Sequence, residues 1–216
     1  MIYINVNVLF QRAVQLIKEH DQEAGPFFMY FASGMTHYPI QTPPGYEEKP
    51  DVRGTFEQMA NFGDHQVGEI KKALEEAGMW ENTVFAFSAD NGAEDGCGSN
   101  EPLRGWKNSM WEGGLRVPGF FHYGAKMADD VKGSTTDDLM YVSDWFNTFL
   151  SMAGGEIKED LDSLDQSAFL LEGAASARTE FVYNLDNRFA QPYGQAGLRQ
   201  GDYKLILGYP GDCDGG

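Results

Sequence analysis

Phe85-Ala-Phe-Ser-Ala-Asp-Asn-Gly92 is followed closely by Pro102-Leu-Arg-Gly-Trp-Lys107 and by Trp111-Glu-Gly-Gly-Leu-Arg-Val-Pro118. Residues 83–89 are mostly apolar, β-prone and too few for a helix, so they read as a buried strand. That strand delivers Asp90, Asn91 and Gly92 at its carboxyl end, the edge at which open α/β sheets bind ligands. A carboxylate beside an amide oxygen suits a hard cation there. The same tripeptide equally suits a plain turn, because all three residue types tolerate a left-handed backbone. Residues 93–100 form a small, acidic loop, and arginine, lysine, tryptophan and glycine then crowd between Pro102 and Gly119. Glycine lets main chain approach closely and basic groups attract a compact anion, so calcium and a lysine together would suit sulfate or phosphate.

Bulk composition bounds the reading. With 216 residues, 42% hydrophobic and 13% aromatic, the chain can bury one sizeable core as an α/β unit. Its net charge of −17 argues against nucleic-acid or anionic-membrane surfaces and makes any anionic substrate depend on local cations such as Lys107 and Arg104. Two cysteines, Cys97 and Cys213, imply no disulfide framework and leave the redox compartment open. The first ten residues lack the cationic flank and small-residue cleavage site of a signal peptide. There is no membrane span and no Asn-x-Ser/Thr sequon, and the sequence fixes no localisation.

In chain order, Leu9, Ala13, Leu16 and Ile17 recur at helical spacing. Residues 27–32, Phe-Phe-Met-Tyr-Phe-Ala, are a continuous apolar run between Pro26 and Gly34 that predicts a strand covered on both faces. His37 follows it, a position where a histidine is commonly a hydrogen-bonded structural residue. Residues 38–50 are proline-rich and extended. Phe56, Met59, Ala60, Gly63, Val67, Ile70, Leu74 and Ala77 mark a long amphipathic helix, with Thr55 as its cap and Gly78 as its stop. Residues 117–123 predict a strand, and Leu139, Val142, Phe146, Phe149, Leu150 and Ala153 a helix opened by Asp137-Asp138 and ended by Gly154-Gly155. Residues 156–166 cross the surface. Two β segments close the chain, 179–184 and 195–208, the second turning at Gln200-Gly-Asp202. Alternating strands and helices predict a largely parallel sheet flanked by helices.

The three quoted segments, in this order, resemble the sulfatase family, most closely its arylsulfatase B group. Ala32-Ser-Gly-Met-Thr-His-Tyr-Pro39 resembles the family segment in which a strand ends in an active-site histidine, and residues 178–184 and 201–211 extend the likeness over nearly the whole chain. The resemblance implies an alkaline-phosphatase-like α/β fold, with residues 1–155 the later part of a catalytic domain and 156–216 a connecting segment and the start of a C-terminal antiparallel β region. It implies that Asp90 and Asn91 correspond to two ligands of a calcium ion, Lys107 to the lysine that grips the sulfate, and His37 to the acid that protonates the departing alcohol. It further implies a glycan or small-molecule sulfate ester as partner, and a lysosomal or secreted location.

The chain departs from the family pattern at one decisive place. Sulfatases make a formylglycine nucleophile from the first residue of a Cys/Ser-x-Pro-x-Arg motif, and neither cysteine here nor any serine begins one. The family's first-strand aspartate pair, and the lysine and histidine that follow the nucleophile, are also missing. The expectation is therefore a partial sulfatase, truncated at both ends and inactive alone. The alternatives are a shortened noncatalytic binding relative and a phosphoesterase of the same superfamily. The four histidines suit the latter poorly, since two transition metals would call for more imidazole ligands. Oligomeric state stays open.

Overall fold

The computed structural model describes residues 2–46, 54–186 and 194–211. Internal contacts divide the chain into two units, Met1–Thr83 with Glu94–Ser99, and Val84–Ala93 with Asn100–Gly216.

In the first unit the predicted helical spacing becomes α1 (Ile2–Glu19) and α2 (Thr55–Glu76), which pack on each other. Val6, Phe10, Ala13 and Ile17 form the buried stripe of α1, and Met59, Gln66, Ile70, Ala73 and Leu74 that of α2. Each large apolar side chain so buried contributes about 1.5–3 kcal/mol. Leu9 and Leu16, expected in the stripe, are 53% and 37% exposed, because a 3.6-residue repeat back from Ile17 passes through Phe10 and Val6 and leaves both leucines on the flank. Gly78 stops α2 as expected, at φ +69, with its N–H donating to Glu75 O. Thr55 does not cap it: Gly54 is the N-cap and no side chain bonds the first turn.

The run 27–32 is the largest departure from expectation in this unit. It forms no strand, and Phe28 and Tyr30 are 81% and 85% exposed. An apolar run becomes a two-face-covered strand only beside other strands, and no strand of this unit is present among the described residues to pair with it. The loop beyond it folds back on α2 through buried Pro43 and Tyr46, the latter edge-on to Phe62 at 5.4 Å, and through Thr42 Oγ1 donating to Gln58 Oε1 at 2.6 Å. The rest of that loop, 47–50, lies outside the described residues, as does Cys213.

In the second unit β1 (Phe85–Ser88) pairs with β2 (Gly119–His122), Phe85 opposite His122 and Ser88 opposite Gly119. The pairing is antiparallel, against the expectation of a parallel sheet. A parallel partner needs a crossover that carries the chain the length of the strand, usually by a helix, whereas here the only helix between the strands is the single turn α3 (Glu112–Leu115). Every described strand pair is antiparallel.

α4 (Asp144–Met152) starts later than expected, and Asp137-Asp138 do not open it. Asp144 accounts for the start: its carboxylate accepts from Tyr141 N at 2.9 Å while its own N–H donates to Tyr141 O, closing a turn just ahead of the helix. Asp137 instead pairs with Arg116 at 2.6 Å on the surface. Gly154, at φ +75, ends α4 as expected. α5 (Ser167–Glu172) was not foreseen. β3 (Glu180–Asp186), β4 (Gln195–Gln200) and β5 (Tyr203–Leu207) form a three-stranded antiparallel sheet in that order, with the expected hairpin turn between β4 and β5.

Candidate functional site

The loop between β1 and β2 carries three of the four residues singled out from sequence. Its shape is set by main chain. Gly92 N donates to Gly114 O at 3.0 Å, Gly113 N to Arg104 O at 2.7 Å, and Lys107 N to Ala93 O at 2.9 Å. A methyl group at Gly92 would lie 1.7 Å from Gly113 O, and one at Gly113 would lie 2.0 Å from Gly105 O, so neither position admits a side chain. These contacts set the Lys107 backbone beside the turn that bears Asp90 and Asn91.

Asn100 is the clamp that sequence reasoning missed. Its Oδ1 accepts from Ala93 N at 2.8 Å, and its Nδ2 donates to Ala93 O at 3.1 Å and Gly105 O at 3.2 Å. One side chain thus ties the residue after Gly92 to the glycine two positions before Lys107. Nothing in the spacing of an acidic loop marks which asparagine will do this.

Asp90 is exposed and Asn91 half-buried. Asn91 Nδ2 donates to Gly92 O at 2.9 Å, which turns the amide so that its oxygen is the end outside that bond. Carboxylate and amide oxygens are the donors hard divalent cations take, but calcium takes about six to eight of them. Among the described residues no group of three or more His, Cys, Asp or Glu side chains is placed to hold a metal ion. The donors fit calcium in kind and fill only part of a coordination shell.

Lys107 is half-buried, and Arg104, three residues before it, lies with its guanidinium carbon 4.1 Å from the centre of the Trp111 ring, a cation–π contact that holds it along the loop. His37 belongs to the other unit. There Gly34 O accepts its N–H at 3.1 Å and its Nδ1 lies 2.7 Å from Tyr38 O, so the ring is fixed on the turn that follows the 27–32 run. Gly34 sits against Val6 Cγ2 and Met35 against Gly63, which seats that turn on α1 and α2.

From below, the lysine loop is held by the C-terminal sheet. Met110 is fully buried; its N–H donates to Pro210 O at 2.7 Å, and its carbonyl accepts from Tyr183 Oη at 3.2 Å and Lys204 Nζ at 3.1 Å. Burial, and then the negative charge of Glu112, push the Tyr183 phenol up to about 12.

A second polar cluster braces α4. Arg178 forks onto Asp144, Nε to Oδ2 at 2.8 Å and Nη2 to Oδ1 at 2.6 Å, both side chains being almost wholly buried. Burial would raise the Asp144 carboxyl, but hydrogen bonds from Arg178, Leu164 N and Tyr141 N outweigh it and hold the pKa below the ordinary carboxylate value. Asn147 adds bonds to Ser163 O and Lys158 O at 2.8 and 3.0 Å.

Known proteins agree with this picture at the level of family. The sulfatase family model matches residues 3–155. The chain belongs to the sulfatase family. Arylsulfatase J of Mus musculus is 33% identical over 94% of this chain and 37% of its own length. N-acetylgalactosamine-6-sulfatase of Canis lupus familiaris is 31% identical over 87% and 37%, and human arylsulfatase A 30% over 89% and 38%. Among solved structures, the PsFucS1 sulfatase from Pseudoalteromonas sp. superimposes with a TM-score of 0.77 at 29% identity, covering 93% of this chain and 40% of that one. Ps i-CgsB in complex with k-i-k-neocarrahexaose gives 0.76 at 25% identity, over 93% and 45%. The chain thus spans less than half the length of each of these relatives. The expected family and the alkaline-phosphatase-like α/β class are met, the described residues being a partial α/β domain. The narrower placement beside the arylsulfatase B group is not carried by relatives spread over arylsulfatases J and A and a 6-sulfatase.

Proposed function

We propose that this chain supplies the sulfate-gripping part, and some of the calcium ligands, of a sulfate-ester hydrolase. Residues 1–155 would belong to its catalytic α/β domain and 156–216 to the connection and the first strands of its C-terminal β region. Asp90 and Asn91 are two ligands of the divalent cation, which when bound draws negative charge from the sulfate oxygens. Lys107 binds those oxygens through its ammonium group, and its backbone bond to Ala93 keeps it at the cation-binding turn. His37 donates a proton to the departing alcohol oxygen, sparing the release of an alkoxide. The nucleophile is supplied by no residue of this sequence, which contains no Cys/Ser-x-Pro-x-Arg segment.

The observation that supports this reading most is the interlocked glycine loop, which holds the Lys107 main chain beside the turn that carries two hard oxygen donors, Asp90 and Asn91. The substrate class that fits is a sulfated sugar or aryl sulfate, the chemistry named in the relatives' own descriptions. The test is titration of the chain with inorganic sulfate in the presence and absence of calcium. Sulfate binding that requires calcium and is lost in Asp90→Ala and in Lys107→Ala supports the assignment. Calcium-independent binding, or binding indifferent to both substitutions, overturns it.

A further inference from the structure

Glu112 has no part in the calcium, sulfate or proton-transfer roles above, yet it is where the loop and the C-terminal sheet meet. It opens α3, one residue before Gly113, whose N–H closes the loop on Arg104 O. Its two carboxylate oxygens are divided between two cations of the sheet: Oε1 forms a short ion pair with Lys204 Nζ, and Oε2 lies 3.4 Å from Arg199 Nη1. The three side chains are 30%, 14% and 21% exposed, which removes much of the solvent screening that makes surface pairs weak. Both cations are held independently of Glu112. Lys204 also donates to Met110 O at 3.1 Å, and Arg199 Nε donates to Gly201 O at 2.6 Å at the β4–β5 turn. Arg199 and Lys204 face each other across that hairpin in register. The carboxylate therefore adds a charged tie, beside the bonds Met110 makes to Pro210, Tyr183 and Lys204, between a rigid two-stranded register and the segment that follows Lys107.

We infer that Glu112 is a positioning residue for Lys107: through Lys204 and Arg199 the C-terminal sheet sets the loop in the conformation that grips a sulfate group. This rests on the sulfate-binding reading of Lys107 for its functional meaning and on the ion-pair geometry alone for its mechanical content. The two are tested separately. Amide hydrogen exchange on the 216-residue chain reads the mechanical part, with the Lys107 and Gly113 amides as reporters and the Ala153 amide at the end of α4, bonded to Phe149 O, as the control.

Glu112→Gln keeps the shape and removes the charge. It should speed exchange at Lys107 and Gly113 by about tenfold, the scale of a lost charge-assisted bond, and leave Ala153 unchanged. Lys204→Arg, which retains a cation, should stay near wild type, and Lys204→Met, which also gives up the bond to Met110 O, should speed exchange at both amides at least as much as Glu112→Gln does. Inorganic sulfate with calcium then reads function: affinity should fall about tenfold in Glu112→Gln with little change in Tm. Exchange that is unchanged in Glu112→Gln, or that accelerates equally at Ala153, overturns the positioning role, the latter by reducing it to general stability. Failure of the wild-type chain to bind sulfate would strike the sulfate-binding reading while leaving the exchange result to judge Glu112.

Discussion

Removing the Arg178 guanidinium would leave the Asp144 carboxylate buried without its counter-charge. Arg178→Met is expected to lower the stability of the second unit by about 3–5 kcal/mol in denaturant unfolding, and Arg178→Lys to recover only part of it, since one ammonium cannot span both oxygens. The pair also fixes an acid limb. The Asp144 pKa is depressed in the folded state, so its contribution is fully present above the unfolded value of about 3.9 and is lost as pH falls through the lower folded value. Asp144→Asn should flatten stability below about pH 4 while lowering it at neutral pH, measured by unfolding at stepped pH. Tyr183 gives the opposite limb. Its folded pKa of about 12 exceeds the unfolded value near 10, so the stability it contributes is complete below pH ~10 and disappears as pH rises towards 12. Tyr183→Phe should remove that alkaline loss at a neutral-pH cost of about 1 kcal/mol for the bond to Met110 O. None of these partners was legible in sequence: Asp144 and Arg178 are separated by 34 positions, and only the folded chain brings them together.

At the scale of elements, the glycine contacts make the sharpest forecast. Gly113→Ala would place a methyl 2.0 Å from Gly105 O and 2.7 Å from Arg104 O, both main-chain atoms that cannot step aside. Overpacking of that kind costs about 1–3 kcal/mol or more, and calorimetry should show a lowered Tm together with loss of calcium-dependent sulfate binding. Gly133→Ala, with nothing within 4 Å, should cost only the strain of its left-handed backbone at φ +75. The elements themselves were legible where an apolar period met a partner inside this chain, as in α1, α2 and the β4–β5 hairpin. The 27–32 run failed because its apolarity records a strand partner, and no strand is present beside it among the described residues of its unit. α4 failed differently. Its buried face carries Asp144, Asn147 and Thr148, at the i, i+3 and i+4 spacing of a core stripe but polar and satisfied, so a reading that looks for apolar repeats places the helix start and its inner face wrongly.

For the molecule as a whole, catalysis and binding should separate. With no formylglycine precursor in the sequence, the 216-residue chain is expected to give no turnover of a chromogenic sulfate ester with or without calcium. Calcium-dependent turnover by this chain alone would refute that. Exposed apolar side chains on each unit, Phe28 and Tyr30 in one and Val182, Tyr203, Leu205 and Leu207 in the other, should bind a hydrophobic dye strongly. What the sequence made readable at this scale was the family; what it hid was strand direction, because a run as short as Phe85–Ser88 does not show which way its partner runs. A loop moulded from peptide atoms, as the close approaches at Gly92 and Gly113 make this one, keeps its outline whatever side chains are grafted along its edge, so its rim is open to redesign without disturbing the main-chain path.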